Sequence, residues 1–428
     1  MLNILIDCDK SFIPKAQYVF ETFFTYYRAK TSFFYKYEDI NNDYLTVIYS
    51  NKLNTLIEDK NNLIFFKSKE TIEFFKNQLK PNKNHVSNLK SFKPLFTCGK
   101  ERNSEEFDLI ASCFYFLSLW QEQDNQLTDI KGRFLAKDSI QYEAKNLETP
   151  LVDLWFNLLA EKISKRGLEI KKVDLLNNKK NIINLSHDID FVYENYIKLF
   201  NLAKKKVYNL IYNKQNKNLS SFSYNRLFPY KQKDIFNILY INTIKKGFNS
   251  TFNIMMEYSK NDLNAIYKLC KVIDGSNCEI GIHPVMNDFN IDENLVYKFK
   301  KKYKVRNVHG MRIHELAFSP DDLYSLLEKN NEIFYDNSIM FPDLPGFRTS
   351  FSLPHKYYSK KDNRIMDIVC IPVFTMDTSF TKYMKLSEKE TEDRMNEIIQ
   401  NNIIKGGITS ILIHNNFFYS RTKQRIKL

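Results

Sequence analysis

Two kinds of apolar pattern alternate along the chain: short runs that load both faces of a strand, and longer stretches with a helical repeat. LNILID from Leu2 and LTVIYS from Leu45 read as buried strands. PKAQYVFETFFTYYRA from Pro14 repeats apolar residues at helical spacing. FDLIASCFYFLSLWQEQ from Phe107 is apolar on most sides and predicts a deeply packed helix. Thr149-Pro150 predicts the start of a third helix, LVDLWFNLLAEKI, with threonine as cap and proline in the first turn.

A polar stretch from Ser164 to Lys180 then separates two regimes. Beyond it, short strand candidates end in polar residues and lead into helices. They are NIINLS to Ser186, STFNIM from Ser250, CEIGI to Ile282, VRNVHGMR from Val305, MDIVCIPV from Met366 and ITSILI to Ile413. Seven of the ten glycines follow residue 240, mostly beside these strands, as tight connections require. The pattern predicts an α/β protein with a smaller N-terminal α/β domain over 1–175 and a second domain over 176–428. Strands alternating with helices mean a parallel sheet or barrel, whose sites lie at the carboxyl ends of the strands.

Composition changes this picture little. The net charge of +13 accompanies a general abundance of Lys, Asn and Ile, and the lysines are spread along the chain. No RNA- or DNA-binding signature accompanies them, so nucleic acid is not an expected partner; steep salt dependence of binding would be the sign of one. KKKVYNLIYNKQNKN, from Lys204, reads as a solvated insertion. The six cysteines are scattered without a CxxC pair, which suits reduced thiols of a cytoplasmic protein. The N-terminus lacks the features of a secretory signal, and the longest apolar run is far short of the roughly 20 residues of a membrane span.

The candidate chemistry sits at four strand ends. NLSHDID places Asp188 and Asp190 two apart, so an extended chain points both the same way. Two carboxylates there repel each other unless a cation stabilises them. An ordinary helix-capping loop is the competing reading. CEIGIHP ends in His283, GMRIHEL carries Arg312 and His314, and ILIHNN carries His414 and Asn415. Each alone reads as easily as structure; four such ends together point to a site.

The order of these pieces resembles the polysaccharide deacetylase family, the NodB-homology or carbohydrate esterase 4 group. The resemblance is closer to a subgroup of bacterial surface-polysaccharide clusters with an extra N-terminal domain, through FYFLSLWQEQ, DIKGRF, TPLVDLW, SHDID, GIHP, GMRIHEL, YDNS, GFRTS and LIHNN. It implies a distorted (β/α) barrel for the C-terminal domain and hydrolysis of an N-acetyl group on an amino-sugar glycan or its precursor. It also implies a divalent metal, usually zinc. In that scheme Asp188 is the base, oriented by Arg312, while Asp190 and His283 ligate the metal. The family's second histidine is replaced by Asn287, which leaves His314 or Asn287 as third ligand. His414, held by Asp377, would protonate the leaving amine, and Arg348 and Asn415 would face the substrate. A deacetylase fold that has lost its metal and serves glycan assembly as a binding or scaffolding module is the alternative.

Overall fold

The structure, a computed structural model, describes residues 1–40, 43–51, 62–98, 106–122, 128–174, 181–190, 243–258, 260–286, 293–405 and 407–415. These group into two compact units. One draws on Met1–Asn184, Val285–Leu295 and His309–Leu412, the other on Leu185–Pro284, Val296–Val308 and Ile413–Leu428.

The first unit opens with strand β1 (Leu2–Asp7), helix α1 (Ile13–Tyr26), and strands β2 (Thr31–Phe34), β3 (Leu45–Ser50) and β4 (Asn62–Phe66). They form a sheet in the order β2-β1-β3-β4 with all pairings parallel. β1, β3 and β4 are buried almost throughout, as their apolar runs predict. Helix α2 (Leu109–Leu117) is wholly buried and starts later than its pattern suggests. Phe107-Asp108 pair instead with Phe96-Thr97, and the Asp108 side chain caps the helix at the Ala111 amide. Helix α3 (Leu151–Ser164) starts one residue later than predicted, with Pro150 itself at the cap position and no side-chain cap. The Val152 amide is satisfied by the Ser350 carbonyl instead, at 2.9 Å.

Later elements are β5 (Asn181–Ile189), β6 (Ser250–Met255), α4 (Lys260–Asp274), β7 (Glu279–His283), α5 (Leu295–Tyr303), β8 (Gly310–Met311), α6 (Pro320–Lys329) and β9 (Tyr335–Asp336). After them come β10 (His355–Ser359), β11 (Arg364–Cys370), β12 (Thr375–Met376), α7 (Glu388–Lys405) and β13 (Gly407–Leu412). In the first unit the strands order as β10-β11-β9-β8, with β12 beside β13, and in the second as β7-β6-β5. β6 runs parallel to β5 and β7, β9 parallel to β8 and β11, and β12 parallel to β13, while β10 is antiparallel to β11. Ser319 caps α6 through the Asp322 amide and Pro320 occupies its first turn, as the sequence predicts. The strand expected over Val305–Arg312 shrinks to two residues. At Gly310 the Tyr335 ring occupies the space of a side chain, with its Cζ 2.1 Å from where a Cβ would stand. β11 ends at Cys370, two residues before Pro372, which lacks the amide to continue a ladder. No helix among the described residues is long and apolar enough to cross a membrane.

Asp108 makes the stability of the first unit pH-dependent. Burial pushes its carboxyl up to about 6, although Ala111 N–H and the Tyr49 and Thr71 side chains favour the charged form. A raised acid contributes stability while it is neutral, below its unfolded value near 4, and that contribution is lost as the pH climbs through 6. Asp108→Asn keeps an acceptor for the Ala111 amide and carries no charge. It is expected to abolish about 2 kcal/mol of the wild type's loss between pH 4 and 7. Urea unfolding at both pH values checks this, and equal pH sensitivity in the two proteins would exclude it.

Candidate metal centre

In the second unit the site is built by three neighbouring parallel strands. The ladder sets Asn253 of β6 opposite Asp188 of β5, and Met255 of β6 opposite His283 of β7. Asn253 Nδ2 donates to Asp188 Oδ1 at 2.9 Å. His283 Nε2 lies 3.5 Å from Asp188 Oδ2 and 3.2 Å from Asp190 Oδ1, so one imidazole serves both carboxylates of the D-x-D pair. His414 Nε2 lies 3.8 Å from Asp190 Oδ2. The backbone brings it there: Ile413 N–H donates to the Ser186 carbonyl and Asn415 N–H to that of Asp188. Asp188, His283 and Asn415 are buried, and Asp190 is nearly so.

Burial opposes ionisation of Asp190, but hydrogen bonding to His283 and the charges of His283 and His414 outweigh it and hold its carboxyl below the usual value. The centre therefore presents an ionised carboxylate beside imidazole nitrogens. His187, immediately before Asp188, faces elsewhere. Its Nδ1 lies 3.1 Å from the Ile413 carbonyl, its Nε2 3.4 Å from Thr243 Oγ1, and its ring packs on Phe252. This is the alternation of a strand.

Two residues of this centre escape the sequence motifs. Asn253 is a buried amide between the apolar Phe252 and Ile254, and that interruption of the apolar run was its one sign. Tyr258 donates to the Ile189 carbonyl and accepts from the Met255 amide, tying the ends of β5 and β6 together. Nothing in its sequence surroundings marks it.

In the first unit Arg312 is fully buried, with Nε donating to the Asn337 carbonyl at 2.9 Å. The YDNS segment builds its support. Asp336 accepts from Ser338 Oγ at 2.5 Å, from Ser338 N–H at 2.9 Å and from Tyr357 OH at 2.6 Å, and Ser338 Oγ in turn accepts from Ile313 N–H. Burial raises the Asp336 carboxyl against those bonds. His314 opens a short 3₁₀ turn in which Glu315 adopts φ 56° and pairs with Lys131. Asp190 and His283 stand together in the second unit, whereas His314 belongs to the first. Asp377 is buried just after β12.

Arg348, expected at the substrate, is buried with all three guanidinium nitrogens donating to protein oxygens. Nε and Nη2 clamp Glu122 at 2.8 and 2.5 Å, and Nη1 reaches the Met340 carbonyl at 2.9 Å. Glu122 and Arg133 are both buried. Arg133 pairs with Asp129 at 2.5 Å and donates to Tyr383 OH. Asn287 and the basic stretch from Lys204 lie outside the described residues.

Residues 4–168 match DUF7033, a family of unknown function. No curated protein matches this chain. Among solved structures, a protein of Mycobacterium smegmatis provisionally assigned as a polysaccharide deacetylase is weakly similar. The identity is 12% and the TM-score 0.34, over 57% of this chain and 79% of that one.

Proposed function

We propose that the chain is a metal-dependent amide hydrolase that removes an N-acetyl group from an amino-sugar-containing glycan or its precursor, on a C-terminal domain of deacetylase type. The observation that carries this reading is the position of His283 between Asp188 and Asp190, with His414 against Asp190, at the ends of neighbouring strands.

The donor set fits a borderline-soft divalent ion such as zinc, which takes imidazole nitrogen and carboxylate oxygen together. Asp190 and His283 would hold the ion, and the sequence resemblance leaves His314 or Asn287 as third ligand. Bound there, it would polarise the amide carbonyl and acidify water. Asp188 would accept the proton, its Oδ1 fixed by the Asn253 amide so that Oδ2 stays oriented. Arg312, immobilised through Asn337 and the Asp336–Ser338 network, would serve as the cation that keeps Asp188 charged. His414 would give its proton to the leaving amine, with Asp377 as its acidic partner, and Asn415 would border the substrate.

Acetate release from N-acetylated amino sugars, presented as free oligosaccharides and as nucleotide-linked monomers to zinc-loaded protein, tests the proposal. Turnover is expected on at least one class, and Asp188→Asn is expected to lower it by about 10²-fold or more. Metal-loaded protein inert on every acetylated amino sugar would sink the reading.

A further inference from the structure

The four-stranded sheet of the first unit has its own site geometry. The chain leaves β1 for β2 on one side and reaches β3 on the other, so its direction of winding reverses beside β1. In open parallel sheets the crevice at the carboxyl ends of the strands at such a reversal is where ligands bind. Here that edge gathers amines. Lys67 follows β4 directly, its amide bonded to the Ser50 carbonyl at the end of β3. Its ammonium runs 3.7 Å above the Phe12 ring to Asp9, just beyond β1, at 2.5 Å. Lys67 is 2% exposed, whereas Asp9 is 35% exposed and opens the group to solvent.

Lys15, in the first turn of α1, reaches the same corner. It donates to the Ser11 carbonyl at 2.7 Å and to Asn363 Oδ1, and its Nζ stands 5.8–5.9 Å from the Phe12, Phe114 and Tyr358 rings. Lys360 stands 4.5 Å over Trp120, whose ring packs on Phe114. Three ammonium groups thus share one aromatic floor. α1 adds no acid: it has no side-chain cap and no acidic residue in its first turn.

We propose that this corner is a phosphate-binding site, in which Lys15 and Lys360 hold the anion and the Lys67–Asp9 pair closes its inner wall. The site is independent of the metal centre and of the reaction proposed there. Burial pushes Lys15 down to about 8, and the charges of Lys67 and Lys360 act in the same direction against the opposing Asp9 and Cys8. Cys8, pushed up by burial to about 12, is a neutral thiol, and burial likewise keeps the Tyr358 phenol neutral. Asp7 and Asp108 act on the Cys8 side, and Asp321 acts on Lys360. An arriving phosphate restores the missing counter-charge and so draws a proton onto Lys15.

Titration calorimetry at pH 8, in two buffers of different ionisation enthalpy, reads both binding and proton uptake. Inorganic phosphate and a hexose phosphate are the two probes, and the tighter of them identifies the source of the group. The expected result is binding of at least one, with uptake of about half a proton for a lysine titrating near the working pH. Lys15→Met and Lys360→Met should each weaken binding tenfold or more, and Lys15→Met should abolish the proton uptake. Lys15→Met removes a half-buried ammonium, so its melting temperature should hold or rise, which keeps a negative result interpretable. Absence of binding by either probe, or binding unchanged in both variants, would overturn the proposal.

Discussion

Wild-type protein purified without chelators is expected to carry near-stoichiometric divalent metal, and Asp190→Ala and His283→Ala to carry none. His283 Nε2 and Asp190 Oδ1 are 3.2 Å apart and buried or nearly so, and their neighbours hold the Asp190 carboxyl ionised. Removing either leaves too few donors for a three-ligand centre. The same centre should make the fold metal-dependent. An ion that binds the folded chain alone stabilises it by about 4 kcal/mol at a thousand times its dissociation constant. Chelation should therefore lower the melting temperature of the wild type and leave both variants where they are. Elemental analysis with parallel melting curves is the measurement. A wild type that stays empty after incubation with zinc, cobalt, nickel and manganese would remove the basis of the metallohydrolase reading and favour a binding module.

The second large effect concerns stability. Glu122→Ala is expected to cost about 3–5 kcal/mol, because it strands the Arg348 guanidinium in the interior without its carboxylate. Both side chains are at most 2% exposed, and the bidentate clamp has no route to water as a substitute partner. Replacing both residues together with methionine should recover most of the loss, since the desolvation penalty disappears along with the pair. Urea unfolding of the two single variants and the double variant closes the cycle. A loss below about 1 kcal/mol in Glu122→Ala would place the pair among solvent-screened ion pairs and contradict its burial.

The strand-end positions and the buried helices were legible in the chain because they rest on local regularities. LNILID and LTVIYS lack the polar alternation of half-exposed strands, and the protein places both in a parallel sheet. Ser319-Pro320 started a helix because capping needs only the next three residues. The two-residue spacing of Asp188 and Asp190 set both carboxylates beside one histidine for the same reason, a period of two along an extended chain.

Other features depended on partners far away in sequence, and no local pattern carries those. Glu122 stands in a polar stretch and is buried only because Arg348 meets it from 226 residues away. The strand around Val305 shortened to Gly310-Met311, where the Tyr335 ring of the neighbouring strand fills the space beside the glycine. Asn253 took its role from the ladder register that set it opposite Asp188. Lys15 and Lys360, scattered lysines in a lysine-rich chain, acquired a meaning only when packing put them on one aromatic floor. Periodicity sets which way a side chain points within its own element. Which charge it meets there is decided by long-range pairing and burial, because desolvation makes each such encounter either strongly favourable or strongly costly.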